Sequence, residues 1–173
     1  RLLDASAGEI RIGGHPAGSE SARRAMSYLG DTPTFYDDLS VREHLEYVAG
    51  LHGITEWSAR GEDLLRRVGL LDRADDLPTK FSRGMRQKTA IALAFIRPFE
   101  VLLVDEPFVG LDEPGRRTLL ALIEDAHRDG ATTIVATHEL TYAATSPRVV
   151  ALRDGNLLFD GAPSGADLAA LVG

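Results

Sequence analysis

The sequence predicts an α/β fold in which a parallel sheet carries an inserted block of helices. Three observations carry this. The short apolar runs Val101–Val104 and Thr132–Thr137 read as strands buried on both faces, as the strands of a parallel sheet are. A helical pattern, Pro114–Asp129, lies between them and gives the order strand, helix, strand. Residues 36–97 hold almost only helix and loop patterns, so they form an insert on the sheet.

The elements follow in order. "RLLDASAGEI" opens with helix-favouring residues but no N-cap ahead of Arg1, and Gly8 reads as a helix stop. "EIRIGG" is a short strand ending in a turn, and Ala25–Gly30 is a second strand. "DTPTFYDDLS" is loop, dense in Asp, Thr and Pro. Ser40, with Glu43 three residues on, has the capping-box spacing for a helix Val41–Gly50, whose Val41, Leu45 and Val48 recur at helical spacing. A second helix runs from about Glu56 to Val68, and a third over Met85–Ile96 with a compact apolar face. Helix Pro114–Asp129 has proline in its first turn and Gly130 as its stop. Asp154–Gly155 is a hairpin signal joining two strands, and Ala166–Val172 closes the chain as a short helix.

Composition limits the partners. A chain of 173 residues suits one domain. A net charge of -7 argues against broad nucleic-acid binding, which needs many Lys/Arg–phosphate contacts, so no nucleic acid is expected as a partner. The absence of cysteine excludes disulfides and thiolate metal sites. No apolar run approaches the roughly 20 residues that span a bilayer as a helix.

Ligands of open α/β sheets bind at the carboxyl ends of strands. Asp105 and Glu106 stand at such an end. Mg²⁺ prefers carboxylate and water oxygens and usually arrives with phosphates. One acid could hold the metal while the next polarises a water; two solvated acids at a strand terminus is the other reading. His138 follows the next strand, where it suits either a phosphate contact and proton relay or a structural role. In "FSRGMRQK", Ser82 can cap a helix and Gly84 allows close backbone approach. That helix start is either an anion site or an ordinary cap.

Taken together, "FSRGMRQKTAIALAFIRPFEVLLVDEPFVGLD" and then "IVATHE" resemble the nucleotide-binding domain of ABC transporters. The 23-residue step from Ser82 to Asp105 and the 32-residue step from Glu106 to His138 suit that family. "SYLGDTPTFYDDLSVREHLEYV" and "VVALRDGNLLFDGAP" match its usual course, so the resemblance covers essentially the whole chain. It implies a P-loop NTPase (RecA-like) core, residues 1–35 and 98–173, around a helical subdomain, residues 36–97, in one domain.

The resemblance also implies roles. Asp105 is the Walker B aspartate serving Mg²⁺, and Glu106 the general base for the attacking water. His138 is the switch histidine at the γ-phosphate. Gly110, Leu111 and Asp112 match the D-loop at the dimer interface. Ser82, Arg83, Gly84 and Met85 match the signature motif, which acts on ATP held by the opposite subunit. Asp31 falls at the Q-loop position, where the family usually has Gln and where a carboxylate could meet metal or water. The implied partners are a second ABC ATPase subunit, in a homo- or heterodimer, and a membrane-embedded permease docked on the helical subdomain. The implied location is cytoplasmic, at the inner face of the plasma membrane.

Departures from the pattern narrow these implications. Arg83 replaces the usual first glycine of the signature and Met85 the usual Gln, a form that resembles the branch powering ABC-2-type exporters. No G-x-x-x-x-G-K-[ST] phosphate loop is present. It is expected immediately upstream of Arg1, which makes the chain a truncated ATPase, expected to be inactive alone. Two other functions fit the same blocks. One is a non-catalytic half that lends its signature to a partner's site, which the intact Glu106 and His138 disfavour. The other is a soluble non-transport ABC ATPase, which the acidic charge and the lack of long heptad arms disfavour.

Overall fold

The structure is a computed structural model that describes residues 7–172. The helix expected at the start of "RLLDASAGEI" lies, for Arg1–Ser6, outside the described residues. The chain forms two compact units, one running to Val135 and one from Ala136.

In the first unit, β1 (Arg11–Ile12) and β2 (His15–Pro16) pair antiparallel. The single strand expected here is thus a two-stranded ribbon. Gly13 and Gly14 both take positive φ, 56° and 78°, and turn the chain back on itself. A helix not expected from the sequence follows: α1 (Glu20–Ala25), capped where the Ser19 hydroxyl accepts the Ala22 N–H at 3.1 Å. Its first turn carries Glu20 and its last turn Arg23 and Arg24, so the cap and dipole signals are present in a run only six residues long.

The sheet has the order β3-β4-β5, with β3 at Met26–Leu29, β4 at Val101–Asp105 and β5 at Thr132–Ala136. β3 and β4 run parallel, Met26 opposite Val101 through Leu29 opposite Val104. Two expectations change here. On β4 only Leu102 and Val104 are fully buried, while Val101, Leu103 and Asp105 are half-buried. On β5 no residue is buried, and Ile134 is 58% exposed. β3 and β5 are both edge strands, but α4 packs on β3 and buries Ser27 and Leu29, whereas no described helix covers β5 to a like degree.

The helices supply the core. α2 (Val41–Leu51) starts with the expected capping box: Glu43 N–H donates to the Ser40 hydroxyl, and Ser40 N–H donates to the Glu43 carboxylate at 2.7 Å. α3 (Ser58–Val68) begins two residues later than expected and ends on Gly69 at φ 72°. α4 (Arg83–Phe95) begins two residues earlier than expected, because Ser82 caps it and accepts the Met85 N–H at 3.3 Å. α5 spans Glu113–Arg128. Leu29, Leu45, Leu65, Ile91, Leu102 and Leu119, each under 2% exposed, form one core shared by β3, β4 and these helices. Buried polar groups pin β3 to it: the Ser27 hydroxyl donates to the Ala94 carbonyl at 2.7 Å. The buried Arg97 guanidinium donates to the carbonyls of Arg24, Met26 and Pro98. Burial holds the Arg97 pKa below its ordinary value.

The second unit holds α6 (Leu140–Ala143), β6 (Val149–Arg153), β7 (Asn156–Gly161) and α7 (Leu168–Val172). α6 was not expected. β6 and β7 form the expected hairpin, and Asp154 (φ 50°) with Gly155 (φ 76°) supplies the two positive-φ positions that such a turn demands. Among the described residues no helix is long and apolar enough to cross a membrane.

Candidate functional site

β4 ends on Asp105, and the chain turns at once. Glu106 takes φ 43°, a left-handed backbone that costs a non-glycine residue roughly 1 kcal/mol or more. The turn is braced behind it. The Val109 N–H points back to the Glu106 carbonyl at 3.4 Å, and Leu111 N–H donates to the Phe108 carbonyl at 3.2 Å. Pro107 and Phe108 are buried, and the Arg116 guanidinium lies 4.4 Å from the centre of the Phe108 ring. Asp105 and Glu106 themselves are half-buried. Among the described non-glycine residues only Asp154, in the β6–β7 turn, shares such a positive φ, so the backbone strain falls on a tight turn at the two acids.

The segment after this turn meets the start of α4. A Cβ built on Gly84 would stand 2.5 Å from the Gly110 carbonyl oxygen. The two backbones therefore touch, and only glycine at position 84 permits it. Gly110 itself is at φ 82°, with the aliphatic part of Arg83 packed against it. Two residues on, Asp112 caps α5 by accepting the Gly115 N–H at 3.0 Å. The Lys88 ammonium of α4 lies 2.8 Å from the same carboxylate. Lys88 first, then the Gly115 N–H, hold the Asp112 pKa below the usual carboxylate range. A Cβ at Gly115 would fall 2.7 Å from Asp112 Oδ1 and 2.8 Å from Lys88 Cε, so a larger residue would have to push both side chains aside.

Asp31 lies two residues beyond β3, with its Oδ1 3.5 Å from Arg83 Nη2. The loop that follows is anchored to α2. Tyr36 N–H donates to Nε2 of the buried His44 at 3.0 Å, so Nδ1 carries the ring proton and donates to the Ser40 carbonyl at 2.8 Å. His138 belongs to the second unit, two residues past β5, where Glu139 N–H donates to the Thr137 hydroxyl at 3.1 Å and α6 begins.

Of the residues singled out from sequence, the first unit thus brings Arg83, Gly84, Gly110 and Asp112 together around the start of α4. Asp31 joins them from β3. Lys88 and Gly115 were not singled out for this role. Lys88 stands 24 positions from Asp112, and no local pattern links them. A cleft of about 490 Å³ lies elsewhere, lined by Arg60, Arg67, Arg97, Asp125 and Arg128 among others. Several of its charges are already engaged: Arg67 pairs with Asp125 at 2.8 Å, Arg128 meets the same carboxylate, and Arg60 donates to the Phe95 carbonyl at 2.9 Å.

The donor set suits Mg²⁺ that arrives with phosphate. It offers the Asp105 carboxylate at a strand end, the kind of oxygen donor that Mg²⁺ takes alongside water and phosphate.

The mixed α/β core, with β3 and β4 parallel and carboxylates at a strand end, is shared with a P-loop NTPase of known structure, which gives the class. A solved structure described as an ATP-binding subunit of an ABC transporter superposes with a TM-score of 0.92 at 32% identity, covering 98% of this chain and 77% of that one. The family described as ABC transporter matches residues 1–109, and the chain belongs to it. It is 32% identical over 164 residues to the macrolide export ATP-binding/permease protein MacB 2 of Yersinia pestis bv. Antiqua (strain Antiqua). That match spans 90% of this chain and 24% of MacB 2. It is 33% identical to the ABC-type transporter ATP-binding protein EcsA of Bacillus subtilis (strain 168), over 82% of this chain and 59% of EcsA. The SkfA peptide export ATP-binding protein SkfE of the same organism is 32% identical, over 88% of this chain and 65% of SkfE. The chain thus spans about a quarter of the first curated relatives and about three fifths of the next.

Proposed function

We propose that this chain is part of an ATP-hydrolysing subunit of an ABC exporter, working as a dimer beside a membrane permease. The observation that carries it is the strained turn at Glu106: two carboxylates at the end of β4 run directly into a loop that touches the start of α4. Export is supported by the relatives MacB 2 and SkfE, both described as export proteins.

In this reading Asp105 would hold Mg²⁺, which neutralises charge on the phosphates when bound. Glu106 orients the attacking water and accepts its proton. His138 offers a hydrogen bond to the γ-phosphate. The start of α4, with Ser82, Gly84 and Met85 and with the Met85 N–H held by the Ser82 hydroxyl, turns its remaining N–H groups toward ATP held by the second subunit. Asp112 and Gly110 run along the interface between the two. The helical block 36–97 is the docking face for the permease, which places the subunit at the inner face of the membrane. Most of the rate enhancement comes from positioning and charge stabilisation, with the base contributing on the order of 10²- to 10⁴-fold.

The test is Glu106→Gln in the full-length protein. Turnover falls by at least 100-fold while ATP-bound dimers accumulate on a sizing column. Hydrolysis at the normal rate contradicts the role given to Glu106.

A further inference from the structure

Two of this chain's departures from its family's pattern, Asp31 and Arg83, meet each other. They are 52 positions apart in sequence, one just past β3 and one at the first residue of α4, and their charged groups stand 3.5 Å apart. We propose that they act as an electrostatic latch: Asp31 holds the Arg83 guanidinium on its own chain, and the γ-phosphate of ATP in the second subunit competes for that guanidinium when two subunits close. The proposal rests on the dimeric ATPase reading above.

Three features of the site support it. First, an arginine at the start of a helix opposes the helix dipole, and the first turn of α4 contains no acid to offset it. Arg86, the other cation of that turn, is turned to the Phe81 carbonyl at 2.9 Å. Asp31 is the carboxylate that answers Arg83. Second, the Arg83 stem is placed rather than loose. Its Cγ and Cδ lie where a Cβ on Gly110 would meet them at 3.2 and 3.3 Å, so the side chain runs along the segment that follows Glu106. Third, Asp31 is oriented for the task. Its Oδ2 accepts the Thr32 hydroxyl at 3.3 Å while Oδ1 faces Arg83.

The strength of the pair suits a latch that must open. The Arg83 and Asp31 side chains are 60% and 44% exposed, and ion pairs this open are worth about 0.2–1 kcal/mol, up to roughly fivefold in an equilibrium. A phosphate carries more negative charge than a carboxylate and can also take the planar guanidinium through two oxygens, so it is the stronger partner. Arg83 then becomes a phosphate-binding residue that the usual glycine cannot provide. Asp31 is a positioning residue that acts through Arg83 and need not touch metal.

The experiment measures the ATP concentration that half-saturates dimer formation, by light scattering, in the full-length protein carrying Glu106→Gln. Adding Asp31→Asn lowers that concentration two- to fivefold, because Arg83 is released. Adding Arg83→Gln raises it. Asp31→Asn on top of Arg83→Gln changes nothing further, and added salt shrinks the Asp31→Asn effect. An equal Asp31→Asn effect with and without Arg83 overturns the latch and returns Asp31 to metal or water. No effect in either background overturns it too. If Glu106→Gln forms no ATP-bound dimer at all, the ATPase reading falls and takes the latch with it.

Discussion

Replacing Gly84 by alanine separates helix propensity from close packing. In an open helix, Gly→Ala gains up to about 1 kcal/mol. At position 84 the new methyl would stand 2.5 Å from the Gly110 carbonyl oxygen, about 0.8 Å inside the roughly 3.3 Å at which a carbon and a carbonyl oxygen meet. The obstacle is backbone, and it has little freedom to retreat. Gly110 sits at φ 82° against Arg83, and the next turn is fastened through Asp112 to Lys88 and to the Gly115 N–H. Overpacking of this kind costs about 1–3 kcal/mol. Offset by the propensity gain, Gly84→Ala is expected to destabilise by about 1 kcal/mol, a fall in Tm of about 2–4 °C for a chain of this size. The control is Gly50→Ala, in the last turn of α2, where nothing lies within 4 Å of the added Cβ. It is expected to raise Tm by a similar amount. Paired thermal melts check this by circular dichroism, and a Gly84→Ala protein as stabilised as Gly50→Ala refutes the close contact.

Ser40→Ala removes one half of the capping box and leaves Glu43 without its Ser40 hydroxyl partner; a loss of about 1 kcal/mol is expected in urea titrations. The Lys88–Asp112 tie predicts a pH dependence. The folded-state pKa of Asp112 is depressed, so its contribution is present above the unfolded Asp value, about 3.9, and is lost as pH falls through the folded value. Between about pH 5 and pH 3 the natural protein should therefore lose more stability than Lys88→Met, and parallel melts of equal slope would remove the tie from consideration. Leu102→Ala, on the fully buried face of β4, should cost about 2–5 kcal/mol, whereas Ile134→Ala on the open edge strand should cost under about 1, as denaturant midpoints can show.

Local chemistry was legible wherever the determining groups are neighbours in sequence. The Ser40/Glu43 capping box, the Ser82 cap, the Asp154–Gly155 turn and the strand that ends on Asp105 and Glu106 all follow from spacings of a few residues or from one apolar run, whereas the pairing of β3 with β4 joins positions far apart in sequence. α1 escaped notice because six residues show too little periodicity, although Ser19 and Glu20 mark its start. β5 was misjudged for another reason. Val135 and Ile134 are as apolar as the residues of β4, but a strand's side chains are buried by what packs on its faces: α4 covers the edge strand β3, and no described helix covers β5 to a like degree.

The sequence by itself determined the fold class, the helix caps and the kinds of residue at the strand ends, because backbone preference and hydrophobic period act over one or two turns of chain. Only the tertiary structure decided which of those residues meet. Gly84 against Gly110, Lys88 against Asp112 and Arg83 against Asp31 join positions 24 to 52 residues apart. The burial of α4 in a common core with β3, β4 and the neighbouring helices brings them together, and Coulomb attraction and steric exclusion, which act over a few ångströms, then select the partners.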